Sequence, residues 1–198
     1  MAALPEASEA DAALSARLSP PRAAHCRRVA ATAVRLAGLH GLPAGAAELA
    51  GLLHDWCREM PEPELLAAAR DLGLLAGLRP AQVVPAVLHG PVAARLLPQR
   101  WPDLPPTVLQ AIDRHTTGDP EMTALDCLIY VADLIEPGHA FDGLASLRAL
   151  AETDLAAAAL AAAEAGLTRL LQRGRPIDLR TVAARNALLL RTAGRERR

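Results

Sequence analysis

The scarcity of some residue types limits what this chain can be. It has 198 residues and no lysine, so all 21 of its basic residues are arginine, and its formal net charge is −1. A chain near neutrality has no basis for general affinity to nucleic acid. Aromatic residues make up only 2% of the chain, so the core must be built from leucine, alanine and valine. Leucine and alanine have high helix propensity, and this composition favours helices over strands.

Cysteine is also scarce, with Cys26, Cys57 and Cys127 widely spaced and no C-x-x-C pair. An odd, scattered set argues against a disulfide framework or a structural zinc site and fits a reducing compartment, so we predict a cytoplasmic protein. The first residues, "MAALPEASEADAAL", are acidic and lack the basic start of a signal peptide. No uncharged apolar run reaches the roughly 18 residues of a membrane span, and we expect no membrane partner.

The residues that are abundant predict an all-α fold. Hydrophobic residues make up 52% of the chain, and apolar positions recur at helical spacing between proline- and glycine-rich turns. Ser19 is the expected N-cap of the first main helix, which starts at two prolines and stops near Gly41. We predict one compact bundle of about six to nine helices. We assign 1–19 to a leader or short helix, 20–190 to the domain and 191–198 to a basic tail.

Two polar anomalies interrupt the apolar helices. In "GLLHDWCRE", His54 and Asp55 follow directly on an apolar run, and in "LIYVADLIE" Asp133 is surrounded by apolar residues. We expect Asp133 to be buried, and a buried carboxylate needs a cationic partner because an unpaired buried charge is costly. Histidine and aspartate are suitable ligands for a divalent transition metal. A set of His25, His54, Asp55 and Asp133 can supply one metal.

His89 and His115 can hold a second metal that shares Asp55 with the first. Any single histidine is more commonly structural than a ligand, and spacing alone does not show convergence. His40 and His139 are read as loop or helix-end residues without a role in metal binding. The metal hypothesis therefore depends on the other residues meeting in space.

The pattern of His25, His54-Asp55 and Asp133 resembles the metal-ligand signature of the HD-domain superfamily of phosphohydrolases, which is all-helical. Longer strings are more specific. "AGLLHDWCR", "VLHGPVAARLL", "AIDRHTTGDPEMTALDCLIYVADLIEP" and "LRALAETDL" resemble the bacterial HD-domain symmetrical diadenosine tetraphosphatases. The resemblance runs from about Pro20 to Leu190.

The resemblance implies a centre of two divalent metal ions, with iron expected first and manganese, cobalt or magnesium as alternatives. The family's ligands fall on residues of the right type at six positions: His25, His54, Asp55, His89, His115 and Asp133. Arg58 stands where the family commonly has lysine, and it keeps the charge and offers a planar fork to phosphate. His139 stands where the group often has arginine.

The reaction implied by the family cleaves diadenosine tetraphosphate in its middle and gives two ADP, with a hydroxide held between the two metals. Asp55, as the bridge, and Arg58 are the expected catalytic residues. Expected substrate contacts are Arg58, Thr116, Thr117, Gly118, Arg22 and Arg148. A helix-capping role for the threonines and a solvated position for Arg22 and Arg148 are equally plausible.

Four further residues near the expected site have structural interpretations. Asp126 precedes Asp133 by two helical turns and either orients a ligand histidine or caps the helix. Trp56 and the cysteines next to ligands, Cys26 and Cys57, are expected to pack in the core.

Two alternative functions remain open at this point. One is an HD-domain phosphohydrolase that acts on another nucleotide, such as a nucleoside triphosphate, a monophosphate or a guanosine alarmone. The other is a non-catalytic nucleotide or metal sensor on the same fold, although a sensor does not need a full set of ligands for two metals. We expect a nucleotide as partner and no nucleic acid, and a homodimer is left open.

Overall fold

The computed structural model describes residues 5–194, which form ten α-helices and contain no strand. The predicted all-α class is confirmed, and the stretch assigned to a leader forms a short helix, α1. The last helix, α10, continues past residue 190, and residues 195–198 of the expected basic tail lie outside the described part. The helices are α1 (Ala7–Arg17), α2 (Pro20–His40), α3 (Ala44–Leu53), α4 (Glu62–Asp71), α5 (His89–Arg100), α6 (Pro106–Arg114), α7 (Ala124–Ile135), α8 (Leu144–Thr153), α9 (Leu155–Gln172) and α10 (Leu179–Ala193).

The helix ends follow the local sequence with one exception. Helix α2 begins at two prolines and ends at Gly41, whose φ of 64° is a left-handed conformation that glycine adopts without strain. Ser19 does not cap α2 as expected, because its hydroxyl donates to Glu59 Oε1 at 2.6 Å. Helix α7 begins with a reciprocal capping box between Thr123 and Asp126.

Asp126 is therefore a capping residue, which is one of the roles that the sequence left open for it. Its side chain is fully buried, and Oδ2 accepts hydrogen bonds from Thr123 N, Gln110 Nε2 and Arg114 Nη1, each at 2.9 Å. These bonds join the end of α6 to the start of α7. Since His115 directly follows α6, this junction fixes the backbone of one candidate ligand.

Two glycines allow the helices that carry candidate ligands to approach closely. A Cβ atom on Gly51 of α3 would lie 2.6 Å from Ala30 Cα of α2, and one on Gly90 of α5 would lie 2.8 Å from the Ile112 carbonyl of α6. Only glycine permits such backbone contact. The first contact brings α2 against the end of α3, and the second brings the start of α5 against the end of α6.

The residues expected to pack do so. Trp56 stacks edge-on against Trp101 with ring centroids 5.5 Å apart, and Cys26 and Cys57 are fully buried in the core. Burial raises the pKa of both thiols, so they stay protonated. Among the described helices, none combines the length and the apolar character needed to cross a bilayer.

Candidate metal centre

The six expected ligands meet at one end of the bundle, because each lies at or near the end of a helix that points there. Five of them line a cleft of about 470 Å³, and His54 is fully buried behind its wall. Their positions are His25 in the second turn of α2, His54 and Asp55 directly after α3, His89 as the first residue of α5, His115 directly after α6, and Asp133 near the end of α7.

In each of the four imidazoles, Nδ1 lies against an acceptor oxygen. The acceptors are Gly51 O for His54 (2.7 Å), Ala86 O for His89 (3.0 Å), Ile112 O for His115 (2.7 Å) and Glu136 Oε1 for His25 (3.2 Å). A carbonyl or carboxylate only accepts, so Nδ1 must carry the proton in each ring. In the neutral ring, Nε2 then presents a lone pair, which is the form that binds a metal.

The four Nε2 atoms converge on the carboxylate of Asp55 in two pairs. Asp55 Oδ2 lies 3.4 Å from His54 Nε2 and 3.8 Å from His25 Nε2. Asp55 Oδ1 lies 3.1 Å from His89 Nε2 and 3.8 Å from His115 Nε2. Each carboxylate oxygen therefore faces its own pair of imidazoles, which is the arrangement of a bridging ligand between two ions.

Asp133 completes the group around His25 and His54. Its Oδ1 lies 3.0 Å from His25 Nε2 and 3.8 Å from His54 Nε2. Asp133 is less buried than expected, since 32% of its side chain is exposed to the cleft. A carboxylate at a cleft wall keeps some hydration while it pairs with the imidazoles, and this lowers the cost of its charge.

The nitrogen and oxygen atoms of these six side chains are suitable ligands for divalent metal ions. His89 Nε2 and His115 Nε2 are 3.0 Å apart, and two lone pairs at that distance repel each other unless a cation or a proton lies between them. His54 Nε2 is buried and meets no hydrogen-bond partner anywhere in residues 5–194. Metal–ligand bonds of about 2.1 Å place two ligand atoms at most about 4.2 Å apart, and the spacings within each pair and to Asp55 satisfy this limit.

Without a bound metal ion, the pKa values of the histidines differ between the two halves of the site. Burial opposes a charge on His54, but Asp55 outweighs it and raises the pKa of His54 to about 9. Burial and the positive charge of His54 and His89 lower the pKa of His115 to about 3. Burial also opposes ionisation of Asp55, yet the charge of His54 holds the pKa of Asp55 far below its ordinary value. Metal binding at His54 must therefore release a proton.

Three of the expected substrate contacts lie on the cleft wall. Arg22 Nη1 donates to Asp55 Oδ2 at 2.9 Å, and Arg58 Nη1 donates to the Ala86 carbonyl at 3.2 Å. Thr116 follows His115, and its Oγ1 is 3.4 Å from His115 Nε2. The two guanidinium groups face the same cleft as the imidazoles, so an anionic substrate there would meet positive charge on two sides.

Arg148, Thr117 and Gly118 do not line that cleft, and each makes another contact. Arg148 donates to the carbonyls of Ile135 and Glu136 at 2.9 and 3.0 Å, so its guanidinium caps the C-terminal end of α7. Thr117 is buried, and its hydroxyl donates to the Gly118 carbonyl at 3.0 Å. Gly118 backs onto Ala184 of α10.

Sequence reasoning missed Glu136, which binds the ligand His25. Its side chain is only 1% exposed. Burial opposes the negative charge of Glu136, but hydrogen bonds from Arg28, Gly138 N and His25 outweigh this effect and lower its pKa to about 2. A signal for it exists in the sequence, because Glu136 follows Asp133 by three residues and so shares its helix face.

Three further cleft residues were also missed. His139 lines the cleft with its ring centroid 5.8 Å from that of His25, and its Nδ1 donates to the Leu134 carbonyl at 2.9 Å. Tyr130 lies one turn before Asp133, and burial raises the pKa of its phenol to about 12, so it stays a hydrogen-bond donor. Arg169 reaches the cleft from α9, which no local pattern could have shown.

The chain is similar in sequence to known proteins over most of its length. The family model described as the HD domain matches residues 22–138. A symmetrical bis(5′-nucleosyl)-tetraphosphatase of Bacillus subtilis is 34% identical over 85% of this chain and 90% of its own length. A protein of the same name from Staphylococcus aureus is 36% identical over 68% of this chain and 69% of its own.

A solved structure shares the fold. It is a crystal structure of a protein from Clostridium acetobutylicum, described as a predicted HD superfamily hydrolase involved in NAD metabolism. The two chains superpose with a TM-score of 0.88 and are 32% identical in sequence. The superposition covers 96% of this chain and all of the other. The helical bundle described above is therefore the HD-domain fold.

Proposed function

This chain belongs to the HD-domain family, in the group of the symmetrical bis(5′-nucleosyl)-tetraphosphatases, and we propose that it hydrolyses diadenosine tetraphosphate in the middle to give two ADP. The proposal rests on one observation. The carboxylate of Asp55 presents each of its oxygens to a separate pair of imidazoles whose Nδ1 atoms are already occupied. That geometry is built to share one ligand between two ions, which is the arrangement used for phosphoryl transfer to water.

His25, His54, Asp55 and Asp133 would hold one ion, and His89, His115 and Asp55 the other. When bound, divalent ions supply Lewis acidity, which lowers the pKa of a water molecule and offsets negative charge on phosphate. A donor set of four imidazoles and two carboxylates suits a transition metal better than magnesium. Iron is our proposal for the metal, from the family resemblance, with manganese or cobalt as substitutes.

The arginines of the cleft would bind the tetraphosphate chain. Arg22 already pairs with Asp55, and Arg58 is held by a backbone carbonyl, so both are fixed beside the ligands. Arg169 differs from them, because its guanidinium makes no hydrogen bond or ion pair to any residue within 5–194. We propose that it binds a phosphate of the half of the substrate that lies along α9.

The substrate proposal is tested by product analysis. Purified protein loaded with Fe²⁺ or Mn²⁺ and given diadenosine tetraphosphate is expected to release ADP as its only nucleotide product, measured by ion-exchange chromatography. In ¹⁸O-labelled water, one of the two ADP molecules formed per turnover should carry one labelled oxygen on its β-phosphate.

Three results would contradict that proposal. Release of ATP and AMP would show an asymmetric cut. Faster turnover of a nucleoside triphosphate, a monophosphate or a guanosine alarmone than of the dinucleotide would favour the alternative of an HD phosphohydrolase with another substrate. Metal-loaded protein that hydrolyses none of these compounds would favour a sensor.

Replacing Arg169 by methionine is expected to reduce kcat/KM for diadenosine tetraphosphate about 10-fold, mainly through KM. A hydrogen bond to a charged group contributes about 1.5–3 kcal/mol, and an exposed arginine falls at the low end. Arg173→Met is the matched control, since Arg173 is exposed one turn further along and does not line the cleft. Equal effects of the two variants in steady-state kinetics would remove Arg169 from the substrate site.

The proposed location is the cytoplasm. Its support is the set of three cysteines, all free and buried, which suits a compartment that keeps thiols reduced.

A further inference from the structure

One of the four candidate ligand histidines is anchored differently from the rest. Nδ1 of His54, His89 and His115 donates to a backbone carbonyl in each case. Nδ1 of His25 instead donates to a carboxylate, Glu136 Oε1, at 3.2 Å. A charged carboxylate is a stronger acceptor than a backbone carbonyl, so of the four rings His25 is the one whose Nδ1 proton faces a negative charge.

Glu136 is held by donors on both of its oxygens. Arg28 Nε donates to Oε2 at 2.5 Å and Arg28 Nη2 donates to Oε1 at 3.2 Å. The backbone N–H of Gly138 donates to Oε2 at 2.6 Å. The side chain is 1% exposed, whereas that of Arg28 is 40% exposed. Besides these donors, Oε1 accepts the Nδ1 proton of His25 at 3.2 Å, and His139 Nε2 lies 4.0 Å from the same oxygen.

The backbone at Gly138 lies close to the Arg28–Glu136 pair. A Cβ atom on Gly138 would lie 2.7 Å from both Arg28 Nη2 and Glu136 Oε1. Both distances are shorter than real Cβ contacts, so any side chain at this position would push the guanidinium and the carboxylate away from their partners. A side chain at Gly138 would therefore have to displace the ends of Arg28 and Glu136 from the positions in which they meet.

We propose that Glu136 is a positioning residue that fixes the His25 ring and strengthens its Nε2 as a donor, which makes the His25–His54–Asp133 half of the centre the tighter of two unequal metal sites. The inference rests on the two-metal centre proposed above, but it does not depend on the substrate. An ion in the other half, at His89 and His115, would be held by rings that only backbone carbonyls support.

Glu136→Gln tests this with nearly unchanged volume. Both oxygens of Glu136 accept hydrogen bonds, so an amide group must turn its NH₂ towards donors on one side and loses bonds there. Titration of metal-free protein with Mn²⁺, followed by the EPR signal of the free ion, measures the two affinities directly. We expect the tighter of the two sites to weaken by roughly 10- to 100-fold and the weaker one to change by less than about 3-fold.

A double-mutant cycle separates positioning from a merely structural role. If Glu136 acts through His25, Glu136→Gln should have little further effect on metal affinity in a His25→Ala background. Long-range ¹H–¹⁵N correlation spectra of the metal-free protein supply a second measure. They should show His25 with its proton on Nδ1 in the wild type and a mixture of tautomers in the variant, with the signal assigned by its loss in His25→Gln.

The chain offers a matched control and a second variant. Glu152 of α8 accepts a hydrogen bond from Arg35 of α2 at 2.8 Å on the surface, so Glu152→Gln makes the same chemical change to another Arg–Glu pair of α2. It should leave both metal affinities unchanged. Should Glu136→Gln fold poorly, Gly138→Ala keeps the carboxylate and displaces it, and the same selective loss is expected.

Equal weakening of both sites, or no weakening at either, would overturn the inference while leaving a two-metal centre in place. A full effect of Glu136→Gln in the His25→Ala background would also overturn it, because the effect would then bypass His25. Wild-type protein that binds no metal would instead contradict the proposed function itself.

Discussion

Asp55→Asn is expected to lower kcat/KM for diadenosine tetraphosphate by at least about 10³-fold. The carboxylate is the only described group whose two oxygens face both imidazole pairs, so its loss affects both candidate metal sites at once. Metal ions contribute several kcal/mol to phosphoryl transfer, and each 1.36 kcal/mol is a factor of ten in rate. An amide has the size of the carboxylate but presents one neutral oxygen, and its NH₂ group would face ligand nitrogens or an ion.

The measurement combines kinetics, metal content and circular dichroism. Helix content should stay at the wild-type level, because Asp55 lies after α3 and caps no helix. Asp113→Asn is a matched control, since Asp113 pairs with Arg95 at 3.1 Å on the surface and does not line the cleft. If Asp55→Asn keeps two ions and more than a tenth of wild-type turnover, Asp55 does not bridge metals.

Removal of metal from the wild-type protein is expected to abolish turnover and to lower the midpoint of thermal unfolding by roughly 10 to 20 °C. A ligand present at 100 times its dissociation constant stabilises the folded state by about 2.7 kcal/mol, so two ions contribute about 5 kcal/mol. For chains of this length, each 1 kcal/mol moves the midpoint by about 2–4 °C. Without ions, the lone pairs of His89 and His115 Nε2 face each other at 3.0 Å, which adds repulsion.

Scanning calorimetry before and after chelation measures this shift, and added Mn²⁺ or Fe²⁺ should restore both the midpoint and the activity. Asp55→Asn is the control, and we expect chelation to move its midpoint by much less. A wild-type protein whose midpoint and turnover are both insensitive to chelation would contradict the two-metal centre.

The sequence by itself determined the class of fold and the identity of the candidate ligands. Proline, glycine and the Thr123–Asp126 pair mark helix ends through local backbone chemistry, which depends only on near neighbours in the chain. His54-Asp55 and Asp133 stood out because charged or polar side chains next to apolar helical runs need partners. Residue type therefore indicated a metal site before any contact was known.

Only the tertiary structure decided how those residues meet. His25 Nδ1 reaches Glu136 across 111 positions of sequence, and which oxygen of Asp55 faces which imidazole pair depends on how α2, α3, α5 and α6 pack. The role of Arg148 as a cap and the position of Arg169 on the cleft wall were likewise set by packing. Spacing along a chain fixes the face of one helix, whereas the distance between helices follows from side-chain volume and from glycines such as Gly51 and Gly90.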